Sequence, residues 1–154
     1  MTLSELVGAG SILVGATPPN RKAAFQALAQ QMAPDVGLPV ETLVAALTER
    51  EKLGTTGFGG GVAIPHGRPD GISGLHGGIA VLASPIDYDA VDGRPVDILF
   101  ALLAPEEAGA DHLKALARVS RAFRIPGFAA RLRGARDADA VRALLAEEAE
   151  RAAA

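Results

Sequence analysis

Apolar and polar positions alternate along this chain with two periods, and the places where the period changes mark the elements. Ser11-Ile-Leu-Val-Gly15 is a short apolar run that ends in Ala16-Thr-Pro-Pro-Asn20, a pattern that predicts a strand and a turn. Asn20 is placed to cap a helix reaching about Met32, with Ala24, Phe25, Leu28 and Met32 on one face. After Gly37-Leu-Pro39 a second helix is expected to run to about Leu53, with Val40, Leu43, Val44 and Leu47 inward and Gly54 as its stop.

The middle of the chain changes character. Thr55 to Gly67 holds five glycines around the apolar Val62-Ala-Ile64, which reads as a loop and a brief strand. Gly78 to Ala83 and Val96 to Leu103 are continuous apolar runs, as expected of strands covered on both faces. Between them Val91-Asp-Gly-Arg94 suggests a hairpin turn, with Ile86 to Val91 as one arm. Helical spacing returns at Ala110, where Leu113, Leu116, Ala117 and Phe123 share a face, and a short helix from Pro126 ends near Gly134. Asp137 then caps a last helix from Ala138 to about Arg151, with Val141, Leu144 and Leu145 inward. Helices at both ends of a strand-rich middle imply an α/β fold, a mixed sheet of about five strands sandwiched between helices. No repeat or linker divides residues 1–154, so one domain is expected.

Composition narrows the chemistry. There is no cysteine, hence no disulfide framework, thiolate metal site or thiol nucleophile. The net charge of −3 supplies no positive field for nucleic acid. No apolar run is long enough to span a bilayer and Met1 to Gly10 lacks the pattern of a signal peptide, so a cytoplasmic protein without membrane insertion is expected. The arginines 118, 121, 124, 131 and 133 read as a solvated helix face.

Of the three histidines, His66 stands out. It follows a strand-like segment, Pro65 restricts the backbone before it, and Gly67 leaves its approach open. A neutral imidazole in such a place is a competent nucleophile that can form a phosphoramidate. Pro-His-Gly alone is more often a surface turn. His76, in Gly74-Leu-His-Gly-Gly78, reads as an exposed loop residue. The glycines show neither a dinucleotide fingerprint nor a nucleotide phosphate loop, and no histidine pair has metal-ligand spacing, so no cofactor and no metal are expected.

The segment Glu49-Arg-Glu-Lys-Leu-Gly-Thr-Thr-Gly-Phe-Gly-Gly-Gly-Val-Ala-Ile-Pro-His-Gly-Arg68 resembles the signature of the phosphotransferase-system enzyme IIA family of fructose, mannitol and nitrogen-regulatory type. Pro95 to Pro105 is similar to that family's late strand, and Asp111-His-Leu113 to the start of its next helix. The resemblance implies a helix-covered mixed sheet and a phosphocarrier in which His66 takes the phosphoryl group. His112 matches a second active-site histidine, one that hydrogen-bonds phosphoryl oxygens or steadies His66. Arg50 matches a neighbour whose guanidinium compensates the added charge. Thr55, Thr56, Gly67 and the loop glycines 57, 59, 60 and 61 are further candidates for binding phosphate through hydroxyls and backbone N–H groups.

The implied donor is an HPr-like protein, charged from phosphoenolpyruvate through enzyme I. On the acceptor side stand a IIB component or regulatory target proteins. The single-domain form resembles the nitrogen-regulatory branch, which signals through its phosphorylation state; a fructose-type IIA feeding a separate IIB for sugar uptake is the alternative. A third reading keeps the fold as a small-molecule binding module without the chemistry, and the joint presence of His66, His112 and Arg50 speaks against it. Ile125 to Phe128 and the Gly/Pro-rich loop from Arg68 to Gly74 depart from the family pattern and are expected to lie apart from the phosphoryl motif.

Overall fold

Successive side chains from Ile98 to Leu103 enter opposite cores, and this alternation divides the molecule in two. In the computed structural model, which describes residues 1–153, Ile98, Phe100 and Leu102 enter one core while Leu99, Ala101 and Leu103 enter the other. A strand buried on both faces needs apolar side chains at every position, and Val96–Leu103 has them at all but Asp97.

The chain begins with a single helical turn, α1 (Leu3–Leu6), followed by β1 (Val7–Val14), α2 (Arg21–Val36) and α3 (Val40–Glu51). Three short strands come next, β2 (Gly57–Gly59), β3 (Val62–Ala63) and β4 (His66–Gly67), then the long β5 (His76–Ile86) and β6 (Val96–Leu103). A 3₁₀ turn over Glu106–Ala108 leads into α4 (Gly109–Arg124), α5 (Phe128–Arg133) and α6 (Ala138–Ala153). The sheet order is β1-β5-β6-β3-β2, with β4 also paired to β6. β1 runs parallel to β5, and β3 and β4 parallel to β6, whereas β5–β6 and β2–β3 are antiparallel. The registers Ala63↔Leu99 and His66↔Leu102 make β3 and β4 one lane interrupted at Ile64-Pro65. Six strands therefore fill five lanes of a mixed sheet, as the pattern of the chain implies.

One face of the sheet carries α2 and α3 through Phe25, Leu28, Met32, Leu43 and Leu47. The other carries α1, α4, α5 and α6 through Leu3, Val119, Phe123, Leu132 and Leu145. Each such side chain contributes about 1.5–3 kcal/mol of transfer free energy. No helix among the described residues is long and apolar enough to cross a membrane.

Two expected caps form as read: Asn20 Oδ1 accepts from Ala23 N at 2.8 Å and Asp137 Oδ1 from Ala140 N at 2.8 Å. Several expectations are corrected. β1 starts at Val7 rather than Ser11, because Gly8 to Gly10 lack the apolar residues that signal a strand and are tethered instead by Asp35, which accepts from Gly10 N at 2.8 Å. α2 continues past Met32 and through Pro34, until Gly37 at φ 79° supplies a left-handed cap. Ile86 to Val91 is not a separate hairpin arm. β5 itself pairs with β6 out to Ile86↔Val96, and the residues between form a loop with Tyr88 buried in it.

The buried stripe of α4 is also rotated from the one expected. Leu113 is 66% exposed and Ala117 is exposed, while His112, Ala115, Arg118, Val119, Ala122 and Phe123 face inward. Two polar residues hold core positions because each finds a partner there. Arg118 sits fork to fork on Glu148 of α6, both contacts at 2.8 Å. Nor are Arg131 and Arg133 simply solvated: they pair with Glu147 at 2.8 Å and Asp97 at 2.9 Å, tying α5 to α6 and to β6.

Candidate active site

His66 opens β4 at the break in its lane, where Pro65 has no N–H to continue the ladder but its carbonyl accepts from Leu102 N at 2.9 Å. The ring folds back so that Nδ1 lies 2.9 Å from the Ile64 carbonyl oxygen. A carbonyl only accepts, so Nδ1 carries the hydrogen and Nε2 carries a lone pair without one. Arg50 Nε donates to that Nε2 at 3.2 Å, and Arg50 Nη1 is held by the Gly54 carbonyl at 2.9 Å. Arg50 lies in the last turn of α3, which can approach β4 this closely because residue 67 is glycine: a Cβ there would sit 2.8 Å from the Ala46 carbonyl oxygen.

His112, in the first turn of α4, is 3% exposed and meets His66 edge-on, ring centroids 5.6 Å apart at 76°. Arg68 Nε donates to His112 Nδ1 at 3.3 Å, and Arg68 Nη1 reaches the Glu106 carbonyl at 3.2 Å. His112 Nε2 is buried with no hydrogen-bond partner among the described residues. The four side chains line a cleft of about 860 Å³ whose rim includes Leu53, Leu113 and Glu49. Burial, reinforced by the Arg50 charge, lowers the His66 pKa against the opposing pull of the Ile64 carbonyl. His112 is pushed down to about 4, chiefly by burial and then by the charges of His66 and Arg68. Both rings are therefore neutral at pH 7.

The structure thus brings His66, His112, Arg50 and Gly67 together. It does not bring Thr55 and Thr56 to the cleft. Thr56 Oγ1 is turned inward, bonded to Glu51 Oε1 at 2.5 Å and paired with the Tyr88 hydroxyl at 2.8 Å, and Thr55 Oγ1 accepts from Gly57 N at 3.1 Å. The loop glycines face elsewhere too: Gly60 N donates to Asp92 at 2.9 Å. His76 is not a loop residue, since it starts β5, is half-buried and lies 2.9 Å from the Ser73 carbonyl. Among the described residues no group of three or more His, Cys, Asp or Glu is arranged to hold a metal.

Two residues of this neighbourhood escape a reading of the sequence. Arg68 closes the signature segment, and its position two residues beyond His66 in extended backbone, hence on the same side, is the signal that marks it. Its contact with His112 also corrects the expectation that the loop starting at Arg68 lies apart from the phosphoryl motif. Glu51 follows Arg50 but is buried at the end of α3, where it accepts from Thr56 N at 2.7 Å and the Tyr88 hydroxyl at 3.3 Å and lies 3.7 Å from Arg21. Burial raises the Tyr88 pKa, so its hydroxyl keeps its proton to donate.

Comparison with known proteins identifies the family and the fold. A family model, Phosphoenolpyruvate-dependent sugar phosphotransferase system, EIIA 2, matches residues 5–148. A nitrogen regulatory protein of Bradyrhizobium diazoefficiens is 46% identical over 146 residues, covering 95% of each chain. The crystal structure of nitrogen regulatory protein IIA-Ntr from Neisseria meningitidis superposes with a TM-score of 0.86 at 33% identity, covering 93% of this chain and 98% of that one. IIA mannitol from Escherichia coli shares the fold, with a TM-score of 0.76 at 21% identity over 90% of this chain and 98% of that one. The chain belongs to the EIIA 2 family of the phosphoenolpyruvate-dependent sugar phosphotransferase system.

Proposed function

We propose that residues 1–154 act as one phosphocarrier unit in which His66 Nε2 accepts a phosphoryl group from an HPr-like protein and later yields it. The observation that carries this reading is the bond from His66 Nδ1 to the Ile64 carbonyl, which leaves Nε2 bare on the side where Arg50 stands. The Nε2 lone pair attacks phosphorus in line, the donor's N–P bond breaks, and the donor imidazole leaves with that electron pair. No proton has to be removed first, because the ring hydrogen already sits on Nδ1. Arg50 Nε gives up the ring nitrogen as phosphorus approaches and takes an equatorial phosphoryl oxygen instead, and its fixed charge offsets the roughly −1.5 to −2 charges that arrive.

Similarity to proteins called nitrogen regulatory supports a signalling role in the cytoplasm, where the phosphorylated and free forms present different surfaces to target proteins. Incubation with phosphoenolpyruvate, enzyme I and an HPr-like protein should add one acid-labile phosphoryl group to the wild type and none to His66→Ala. Label retained by His66→Ala overturns the assignment. Phosphoryl transfer from the labelled protein to a sugar-specific IIB would place it in transport. A regulatory role predicts target proteins captured by one form only.

A further inference from the structure

We infer that Arg68 is a positioning residue that fixes the tautomer of His112, so that His112 Nε2 bears the hydrogen offered to the phosphoryl group on His66. This rests on the phosphocarrier reading and goes beyond it by giving a task to a residue outside that step.

A guanidinium has five N–H donors and no acceptor, so the 3.3 Å contact from Arg68 Nε requires His112 Nδ1 to be the acceptor. A neutral imidazole has a single N–H, which is then on Nε2. That nitrogen is the one ring atom of His112 left buried and unpartnered. A buried donor without an acceptor is unfavourable in the resting protein and becomes satisfied only when an oxygen arrives. The neighbouring His66 ring, 5.6 Å away between centroids, is where a phosphoryl group would bring one. Arg68 is itself immobilised, because its Nη1 holds the Glu106 carbonyl just before α4. His66 is set by the same device in the opposite sense: Arg50 donates to its Nε2, and the hydrogen is driven to Nδ1. Two arginines thus give two neighbouring rings opposite tautomers, one a nucleophile and one a donor.

The imidazole nitrogens of the unphosphorylated protein, followed by proton–nitrogen correlation NMR at pH 7, should show His112 protonated on Nε2 and bare on Nδ1, and His66 the reverse. A hydrogen on His112 Nδ1 overturns the inference. In kinetics, Arg68→Met should slow phosphoryl uptake by about tenfold in the native background, the loss expected for one misdirected hydrogen bond, and should add nothing in a His112→Gln background. Effects that multiply in the double variant overturn the inference, since Arg68 would then act on the phosphoryl group without His112. A chain that takes up no phosphate at all sinks the phosphocarrier reading, whereas the opposite tautomer in a chain that does take it up sinks only the role of Arg68.

Discussion

His66 and His112 face one another across a single cleft, yet the backbone beneath each is of a different kind. His66 stands on a two-residue strand locked into the sheet by pairing with Leu102, and its ring is tied to a carbonyl only two residues back. His112 rides the first turn of α4, and the group that orients it comes from Arg68, far away in sequence and anchored to the turn ahead of that helix. Both rings thus take a hydrogen bond from an arginine, but His66 is held in addition by a local carbonyl, whereas His112 is oriented by Arg68. Of the two Nε2 atoms, only that of His66 could accept phosphorus without shedding a proton.

The largest way to break this contrast is to remove the cation beside the proposed nucleophile. Arg50→Met should lower the rate of phosphoryl uptake by about 10²–10³, the usual loss when one preorganised donor to developing charge is deleted. Rapid-quench measurement of phosphohistidine formation reads the change. A rate within a factor of about three of wild type, well below that range, would show that Arg50 merely packs beside the ring.

Acid sharpens the comparison from the side of His112. Its pKa of about 4 in the folded protein lies below the ordinary 6.5, so between these values the unfolded chain binds more protons. The stability this group contributes is fully present above about pH 6.5 and is lost as the pH falls toward 4, on the order of 3 kcal/mol at the lower limit. His66, displaced in the same direction, adds to the loss. Urea denaturation from pH 7 to pH 4 should show His112→Gln losing less stability than wild type. Parallel curves for the two proteins would remove the buried neutral ring from the account.

The smallest effect tests the platform beneath Arg50. Glu51→Ala leaves Thr56 N without its acceptor in a buried site, at a cost of about 2 kcal/mol, visible as a lower thermal midpoint. Because Glu51 also fixes the end of α3, uptake at His66 should fall more than the tautomer of His112 changes. Equal disturbance of both rings would mean that the two pairs are one mechanical unit.

Much of the fold was legible because its causes are short-ranged. Asn20 and Asp137 cap helices through contacts three residues away, and the unbroken apolar run of β6 announces a strand covered on both faces. The setting of His66 was legible for the same reason, since Pro65 acts on its immediate neighbour, whereas the absent Cβ of Gly67 matters because of Ala46 on α3. The failures have the opposite character. Leu113 fits an apolar stripe and yet is exposed, because the inward positions of α4 went to His112 and to Arg118, whose partner Glu148 lies 30 residues on. Thr56 sits in a segment that looks fit for phosphate, but its hydroxyl turns to Glu51 and Tyr88 because Tyr88, 32 residues away, is packed behind it.

By itself the sequence determined most of the elements, their order, and the strand end where the proposed nucleophile His66 stands, since periodicity, capping and backbone restriction operate within a few residues. Tertiary structure alone decided which charges are paired, which way the hydroxyls turn and which nitrogen of His112 bears hydrogen. Those depend on where a donor 44 residues distant comes to rest, and a hydrogen bond is settled by tenths of an ångström that no local pattern encodes.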